Sequence, residues 1–262
     1  MIFESHAHYD DEKFDTDRDM LLASMQEQGI ERIINVGSSI EACKKTVALM
    51  EQYDFIFGAI GVHPSDIEGL NEESFAWIRQ TLNHPKTVAV GEIGLDYYWE
   101  KDPDMQQQQK YWFRRQLELA RETGLPVIIH SREAAADTME LMRDMECQDI
   151  PGVIHCYSYS PEMAMEYVKM GYYIGVGGVV TFKNARKLKE TVAAVPMERI
   201  LLETDSPYLA PEPYRGKRNS SLYLPYVAEE IARIKGISVE EVIQKTNENA
   251  RNLFRKGDTW LP

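Results

Sequence analysis

Whatever chemistry this chain performs has to come from six histidines and a small set of carboxylates. Two of the histidines are one residue apart in the opening run Met1-Ile-Phe-Glu-Ser-His6-Ala-His8-Tyr-Asp10. On a strand, alternate side chains share a face, so His6 and His8 point the same way, roughly 6–7 Å apart along the backbone. That spacing lets two imidazoles reach one cation. Alone, a His-x-His pair near a terminus is weak evidence for a metal. Its weight comes from the company it keeps. His63, His130 and His155 also stand at or just past the end of an apolar run, as do Glu92, Glu203 and Asp205. Only His84, before Pro85, falls elsewhere and reads as a surface loop residue.

Imidazole together with carboxylate suits Zn, Mn, Ni or Co, whereas all-oxygen sites suit Mg or Ca. With this many donors two divalent ions about 3.5–4 Å apart can be held, and Glu92, with two oxygens, can bridge them. A bound ion brings the pKa of its water towards neutrality. Asp205, at the last strand, is placed to accept the water's proton while touching the ion. Gly-x-Ser-x-Gly is absent, so a serine nucleophile is not indicated. Blander readings stay open. Glu92 can pair with an arginine such as Arg132, and Asp205 can cap the turn in Asp-Ser-Pro. Asp10 and Asp96 can orient ligand histidines or merely cap loops. Cys43, Cys147 and Cys156 are odd in number and form no Cys-x-x-Cys pair, which argues against a disulfide framework or a zinc ribbon. Cys156 neighbours His155 but reads as a buried free cysteine.

These residues are positioned by a regular alternation of elements. Eight strand-like runs, mostly continuous and rich in Val and Ile, cover Ile2–Ser5, Arg32–Val36, Phe55–Val62, Thr87–Glu92, Pro126–His130, Gly152–His155, Tyr172–Val176 and Arg199–Glu203. Continuous apolar runs are the mark of parallel strands buried on both faces. Helical patterns occupy Asp17–Gln28, Ile40–Gln52, Glu73–Leu82, Asp104–Glu122, Glu133–Met145, Pro161–Met170 and Ala185–Ala194. Two more, Leu224–Lys235 and Val239–Phe254, follow the eighth strand, the last with a capping box at Ser238 and Glu241. The alternation predicts a (β/α)8 TIM barrel with extra C-terminal helices, whose strand ends gather catalytic residues in one bowl. A doubly wound open sheet is the alternative. Its nucleotide-binding forms carry a Gly-rich turn after the first strand, where this chain has His-Ala-His-Tyr-Asp.

A chain of 262 residues can bury one large core, and with no repeat or linker-like stretch the expectation is a single domain over residues 1–262. The net charge of −13 argues against coating nucleic acid through a global positive field. It leaves room for a local basic groove. No run of about 18 apolar residues is present, so no membrane span is expected. Nor is a basic, then apolar, leader apparent, so a cytoplasmic location is the expectation. No obligate protein partner is evident.

The same residues resemble the TatD family of metal-dependent deoxyribonucleases, within the wider amidohydrolase-like barrels, over essentially the whole chain. His6-Ala-His8-Tyr-Asp10 is similar to the family's opening His-x-His-x-Asp, and Gly91-Glu92-Ile93-Gly94-Leu95-Asp96-Tyr97 to its central glutamate motif. Pro126-Val-Ile-Ile-His130-Ser-Arg132 and His155-Cys156-Tyr157-Ser158 resemble the next two ligand segments. Leu202-Glu203-Thr204-Asp205-Ser206-Pro207-Tyr208-Leu209, with Arg215-Gly216-Lys217-Arg218-Asn219, is the most specific signature. The resemblance implies His6, His8, Glu92, His130, His155 and Asp205 as ligands of two divalent ions (Mg, Mn, Zn, Ni or Co). It places His63 on the substrate side and implies hydrolysis of DNA phosphodiesters. The chain departs from the family pattern at Glu4, Glu133, Tyr157, Tyr159 and Ser220-Ser221, none of them a proposed ligand. The tyrosines and serines are expected near the substrate mouth, where they bear on substrate preference.

Around the site, Arg215, Lys217 and Arg218 read either as a solvated loop or as phosphate clamps, with Arg132 a further substrate contact. Tyr97, Tyr98 and Trp99 offer rings for stacking an unpaired base, although packing in the core or under a lid is the preferred reading. Together these features point to single-stranded or frayed DNA ends, with trimming from the 3′ end as the expected mode. Two other functions remain: a metal-dependent hydrolase of an ester or amide such as aminoacyl-tRNA, and a non-enzymatic metal-binding scaffold. Barrels of this superfamily that cut carbonyl compounds often carry a carboxylated lysine at the fourth strand, where this chain resembles the family in having Glu92.

Overall fold

The structure, a computed structural model, describes residues 1–255. Eight strands make one sheet in sequence order: β1 (Ile2–Ala7), β2 (Ile30–Val36), β3 (Ile56–Ile60), β4 (Thr87–Asp96), β5 (Val127–Arg132), β6 (Gly152–Ile154), β7 (Tyr173–Val176) and β8 (Ile200–Leu202). The helices are α1 (Arg18–Ser24), α2 (Ile40–Gln52), α3 (Glu72–Thr81), α4 (Pro103–Thr123), α5 (Ala135–Asp144), α6 (Pro161–Lys169), α7 (Arg186–Ala194), α8 (Leu224–Lys235) and α9 (Val239–Leu253). The chain packs as two compact units. One comprises Met1–Asn35, Cys156–Lys169 and Tyr173–Asn252; the other is built mainly on Val36–His155.

In the first unit β1 pairs in parallel with β2, and β7 with β8. A parallel bridge from Ala7 to Ser206 joins β1 to the segment leaving β8, supported by the Asp205 N–H donating to the His6 carbonyl at 3.0 Å. The last strand therefore meets the first, and the doubly wound alternative is excluded. All six residues of β1 are buried, including Glu4 and His6, as expected of a strand covered on both faces.

The second unit holds β3 to β6, with β4 paired to β5 and β5 to β6. Strand β4 runs four residues past the expected end at Glu92, through Ile93-Gly94-Leu95-Asp96. Gly94, beyond the expected strand end, serves the pairing. A Cβ on Gly94, whose φ is +148°, would lie 1.9 Å from the His130 carbonyl oxygen. Only glycine lets β4 pass this close to β5, in a register that puts Gly94 opposite His130 and Asp96 opposite Arg132.

Local sequence rules account for the helix ends. Ser39 caps α2 by accepting from the Ala42 N–H at 3.1 Å, and Asn71 with Ser74 forms a capping box on α3. Asp102 precedes Pro103 at the start of α4, and Gly124 ends that helix at φ +67°. Helix α4 also carries two buried glutamines one heptad apart. Gln116 accepts from the Val62 N–H (2.8 Å) and donates to the Val62 carbonyl (3.1 Å). Gln109 does the same for Asp96, at 3.0 and 3.3 Å. One helix thereby satisfies the backbone where β3 and β4 give out, next to His63 and at Asp96. Among the described residues no helix is long and apolar enough to cross a membrane.

Candidate metal centre

In the first unit, β1 delivers His6, the residue just past its end is His8, and the turn after β8 delivers Asp205. His6 Nε2 and His8 Nε2 are 3.1 Å apart, and Asp205 Oδ1 lies 3.8 Å from the first and 3.4 Å from the second. Donor atoms bonded at about 2.0–2.2 Å to one tetrahedral or octahedral ion stand roughly 3.0–3.5 Å from one another. Two of the three separations lie in that range and the third just above it, so these two buried imidazoles and a carboxylate form a group that could hold a divalent cation.

Asp205 holds a left-handed backbone with φ +58°, a strained state for a non-glycine residue. Its surroundings fix it there. The Tyr208 N–H donates to the Asp205 carbonyl at 2.8 Å. Asn219 Nδ2 spans the turn, donating to the Thr204 carbonyl at 2.9 Å and the Tyr208 carbonyl at 2.7 Å. Behind His6, Glu4 Oε1 accepts from the N–H groups of His6 (3.1 Å) and Thr204 (2.9 Å), and Oε2 accepts from Ser221 Oγ at 2.8 Å. Burial pushes the Glu4 carboxyl up to about 8, against these hydrogen bonds, which favour its charged form. Asn35 accepts from the Tyr9 N–H at 2.7 Å and donates to Asp10 Oδ1 at 2.8 Å, so Asp10 is fixed beside the His-x-His run.

Glu203 is 1% exposed, and its Oε1 accepts from the Cys156 N–H at 2.6 Å. A Cβ on Gly175 would stand 2.3 Å from Glu203 Oε2, so the glycine provides the hollow this carboxylate fills. Beside it opens a small pocket lined by Tyr157, Val179, Leu188, Leu209 and Asp205 among others. Cys156 forms no disulfide and is half-buried, at φ +44°, rather than the buried cysteine expected from sequence, because the turn it occupies lies at this pocket.

In the second unit, Glu92 Oε1 is the centre of the cluster. It is 2.9 Å from His130 Nδ1 and 3.8 Å from Nε2 of both His63 and His155. His130 Nε2 is 3.1 Å from Asp96 Oδ2, so carboxylates face both of its ring nitrogens. Burial works against the His130 imidazolium, but Asp96 and Glu92 outweigh it and hold the pKa above the ordinary histidine value. Burial likewise opposes the Asp96 charge. Hydrogen bonds from His130 and the Trp99 N–H prevail and keep this carboxyl below its usual range. His63 differs in kind. Its Nδ1 accepts from the Ser65 N–H at 3.1 Å, so the neutral ring carries its proton on Nε2, the nitrogen aimed at Glu92. That nitrogen faces Glu92, and in this unit His63, Glu92 and His130 bring their possible ligand atoms together closely enough for a cation, with His155 Nε2 3.8 Å from Glu92 Oε1.

The outer residues divide. Arg132 is exposed, with its guanidinium 3.9 Å from the Tyr98 ring centroid. Arg218 is bidentate to Asp17 at 2.7 and 2.6 Å and donates to the Lys13 carbonyl, so its fork is engaged within the first unit. Lys217 is exposed, and Arg215 is exposed with its guanidinium 4.2 Å from the Phe182 ring. Tyr157 and Ser221 are not at the mouth. Tyr157 is 2% exposed with its hydroxyl donating to the Ser160 carbonyl, and Ser221 is fully buried against Glu4 and Tyr9. Tyr98 and Trp99 are exposed rather than packed.

Eight parallel strands in sequence order, with histidines and carboxylates at their C-terminal ends, define a metal-dependent hydrolase on a (β/α)8 barrel of the amidohydrolase type. Comparison with known proteins narrows the class. The family model for TatD related DNase matches residues 3–255. A Bacillus subtilis protein described as an uncharacterized metal-dependent hydrolase, YabD, is 44% identical over 97% of this chain and 99% of its own length. The crystal structure of the TatD homologue YjjV from Escherichia coli superposes with a TM-score of 0.89 at 30% identity, covering 97% of each chain. A Cronobacter sakazakii relative named 3′-5′ ssDNA/RNA exonuclease TatD is 32% identical over 97% of this chain and 98% of its own. The chain belongs to the TatD family of metal-dependent hydrolases.

Proposed function

We propose that this protein hydrolyses phosphodiester bonds at the ends of single-stranded or frayed DNA, acting as a 3′-to-5′ exonuclease. The observation that carries the reading is Glu92. A carboxylate, rather than a lysine that could be carboxylated, stands on β4 among His63, His130 and His155. The name of the Cronobacter sakazakii relative supports the same substrate class.

In this reading the His6, His8 and Asp205 set and the Glu92, His130 and His155 set are the ligands of two divalent ions. Bound there, such ions polarise a phosphoryl oxygen and bring the pKa of water towards neutrality. The chain does the rest. Asp205, strained and held by Asn219, takes the proton of the attacking water on its carboxylate. His63, whose Nε2 faces Glu92, borders the substrate side of the cluster, and the Arg132 fork offers charge to a phosphate. Arg215 and Lys217 add exposed positive charge on the loop after β8, whereas Arg218 ties that loop to Asp17.

The test is cleavage of end-labelled single-stranded DNA, with matched assays on an aryl phosphodiester and an aminoacyl-tRNA. Divalent-dependent shortening from the 3′ end is expected. Turnover of the aminoacyl ester alone would replace this reading with a second one, for which the pocket lined by Val179, Leu188 and Leu209 beside Asp205 is the supporting observation. Bound ion with no turnover of any ester would leave only a scaffold.

A further inference from the structure

One carboxylate links the second cluster to an exposed aromatic surface. Asp96 Oδ2 lies 3.1 Å from His130 Nε2, while its Oδ1 accepts from the N–H groups of Tyr98 (2.9 Å) and Trp99 (3.0 Å). The side chain that positions a site histidine therefore also fixes the first turn of the loop leaving β4. On that turn Trp99 is 70% exposed and Tyr98 41% exposed, their rings edge to face with centroids 4.8 Å apart. The Arg132 guanidinium lies 3.9 Å from the Tyr98 centroid and 5.7 Å from that of Trp99. Arg132 is opposite Asp96 in the β4–β5 register and two residues past His130. Tyr98 is thus braced by a cation and a neighbouring ring, and most of the indole of Trp99 is left in water.

Trp99 is held on a backbone fixed by Asp96 with its ring face open beside Tyr98 and Arg132. Two rings beside a guanidinium are too small an apolar patch for a stable protein interface. Their chemistry matches a flat π-system carrying an adjacent anion, which describes a nucleobase with its phosphate.

We propose that Trp99, braced by Tyr98 and Arg132, is the platform on which an unpaired base of the substrate strand stacks. The proposal rests on the phosphodiesterase reading above and adds the residue that sets the preference for unpaired strands. A base inside a duplex has both faces covered by its neighbours, so it reaches the indole only after fraying. A base at a single-stranded end reaches it directly. Arg132 meets the phosphate next to that base, and Asp96 keeps platform and histidine in one register.

Steady-state kinetics on a short single-stranded oligodeoxynucleotide test this. Trp99→Ala is expected to raise KM about ten-fold with kcat nearly unchanged, on the scale of one lost base–aromatic stack. Trp99→Phe restores most of the loss, and Tyr111→Ala, which removes an exposed ring on α4, has no effect. On a matched strand with abasic sites, the unaltered protein already shows the raised KM and Trp99→Ala adds nothing. An unchanged KM in Trp99→Ala overturns the platform and leaves the nuclease reading standing. So does an equal loss on base-bearing and abasic strands, or a loss confined to kcat. If the unaltered protein cleaves no strand with any divalent ion, the nuclease reading falls, and the platform with it.

Discussion

Glu4→Gln should remove most of a pH dependence built into the first unit. Glu4 is fully buried on β1, and burial raises its pKa from 4.5 to about 8, so the folded, metal-free protein holds it protonated at neutral pH. The unfolded chain releases that proton at the ordinary carboxylate value. Between pH 4.5 and about 8, folding therefore takes up a proton. The contribution is fully present below the unfolded pKa and is lost as pH rises through the folded one. At about 1.4 kcal/mol per pH unit, the interval from 4.5 to about 8 sets a ceiling of about 5 kcal/mol. No discount for solvent screening applies to a side chain with 0% exposure. Glutamine keeps the acceptor oxygen for the His6 and Thr204 N–H groups and offers its NH₂ to Ser221 Oγ, so the packing survives while the titration disappears.

The assay is urea unfolding of chelator-treated protein at several pH values from 5 to 8, wild type beside Glu4→Gln. Other titrating groups are common to both, so the difference in unfolding free energy isolates Glu4. It should move in favour of the glutamine variant by about 1 kcal/mol for each pH unit gained. With a divalent ion restored beside His6, its charge favours the carboxylate and the slope should shrink. A difference that is flat with pH, or that moves towards the wild type as pH rises, would refute the reasoning. Either outcome would mean that the three hydrogen bonds to Glu4 outweigh its burial.

Asp205→Asn retains a ligand oxygen but removes the proton acceptor. It should lower kcat by roughly 10²–10⁴-fold with metal content unchanged by elemental analysis, and full activity would exclude the role. Asp96→Asn takes away one of the two carboxylates facing His130. It should weaken divalent-ion affinity by about 10–100-fold in calorimetric titration and lower the His130 pKa seen by NMR. In the wild type the same His130 proton competes with the ion, so affinity should weaken as pH falls. Gln116→Leu strips partners from both the N–H and the carbonyl of Val62 and should cost roughly 2–4 kcal/mol by urea unfolding. An unchanged midpoint there would show that the end of β3 does not depend on α4.

The strand–helix alternation was legible because parallel strands buried on both faces must be continuously apolar, and helix ends such as Ser39 before α2 and Gly124 after α4 carry the residue types expected there. What stayed hidden depends on contacts across long stretches of chain. Gly94 lies past the expected strand end until the close approach of β5 is known, and with that approach Asp96 both caps the loop through Oδ1 and faces His130 through Oδ2. Gln109 and Gln116 are indistinguishable from the other glutamines of α4 except by their seven-residue spacing, which places both on the face turned to the strand ends. Glu4 shows the same limit more sharply. Its neighbours Ser221 and Thr204 lie about two hundred residues away in the chain, and nothing local says that a glutamate in an opening strand is buried. Side chains that can bind a cation advertise themselves by type. Side chains that hold those donors in place are ordinary Gln, Asn and Gly residues, recognisable only by the backbone groups they satisfy or the space they leave open.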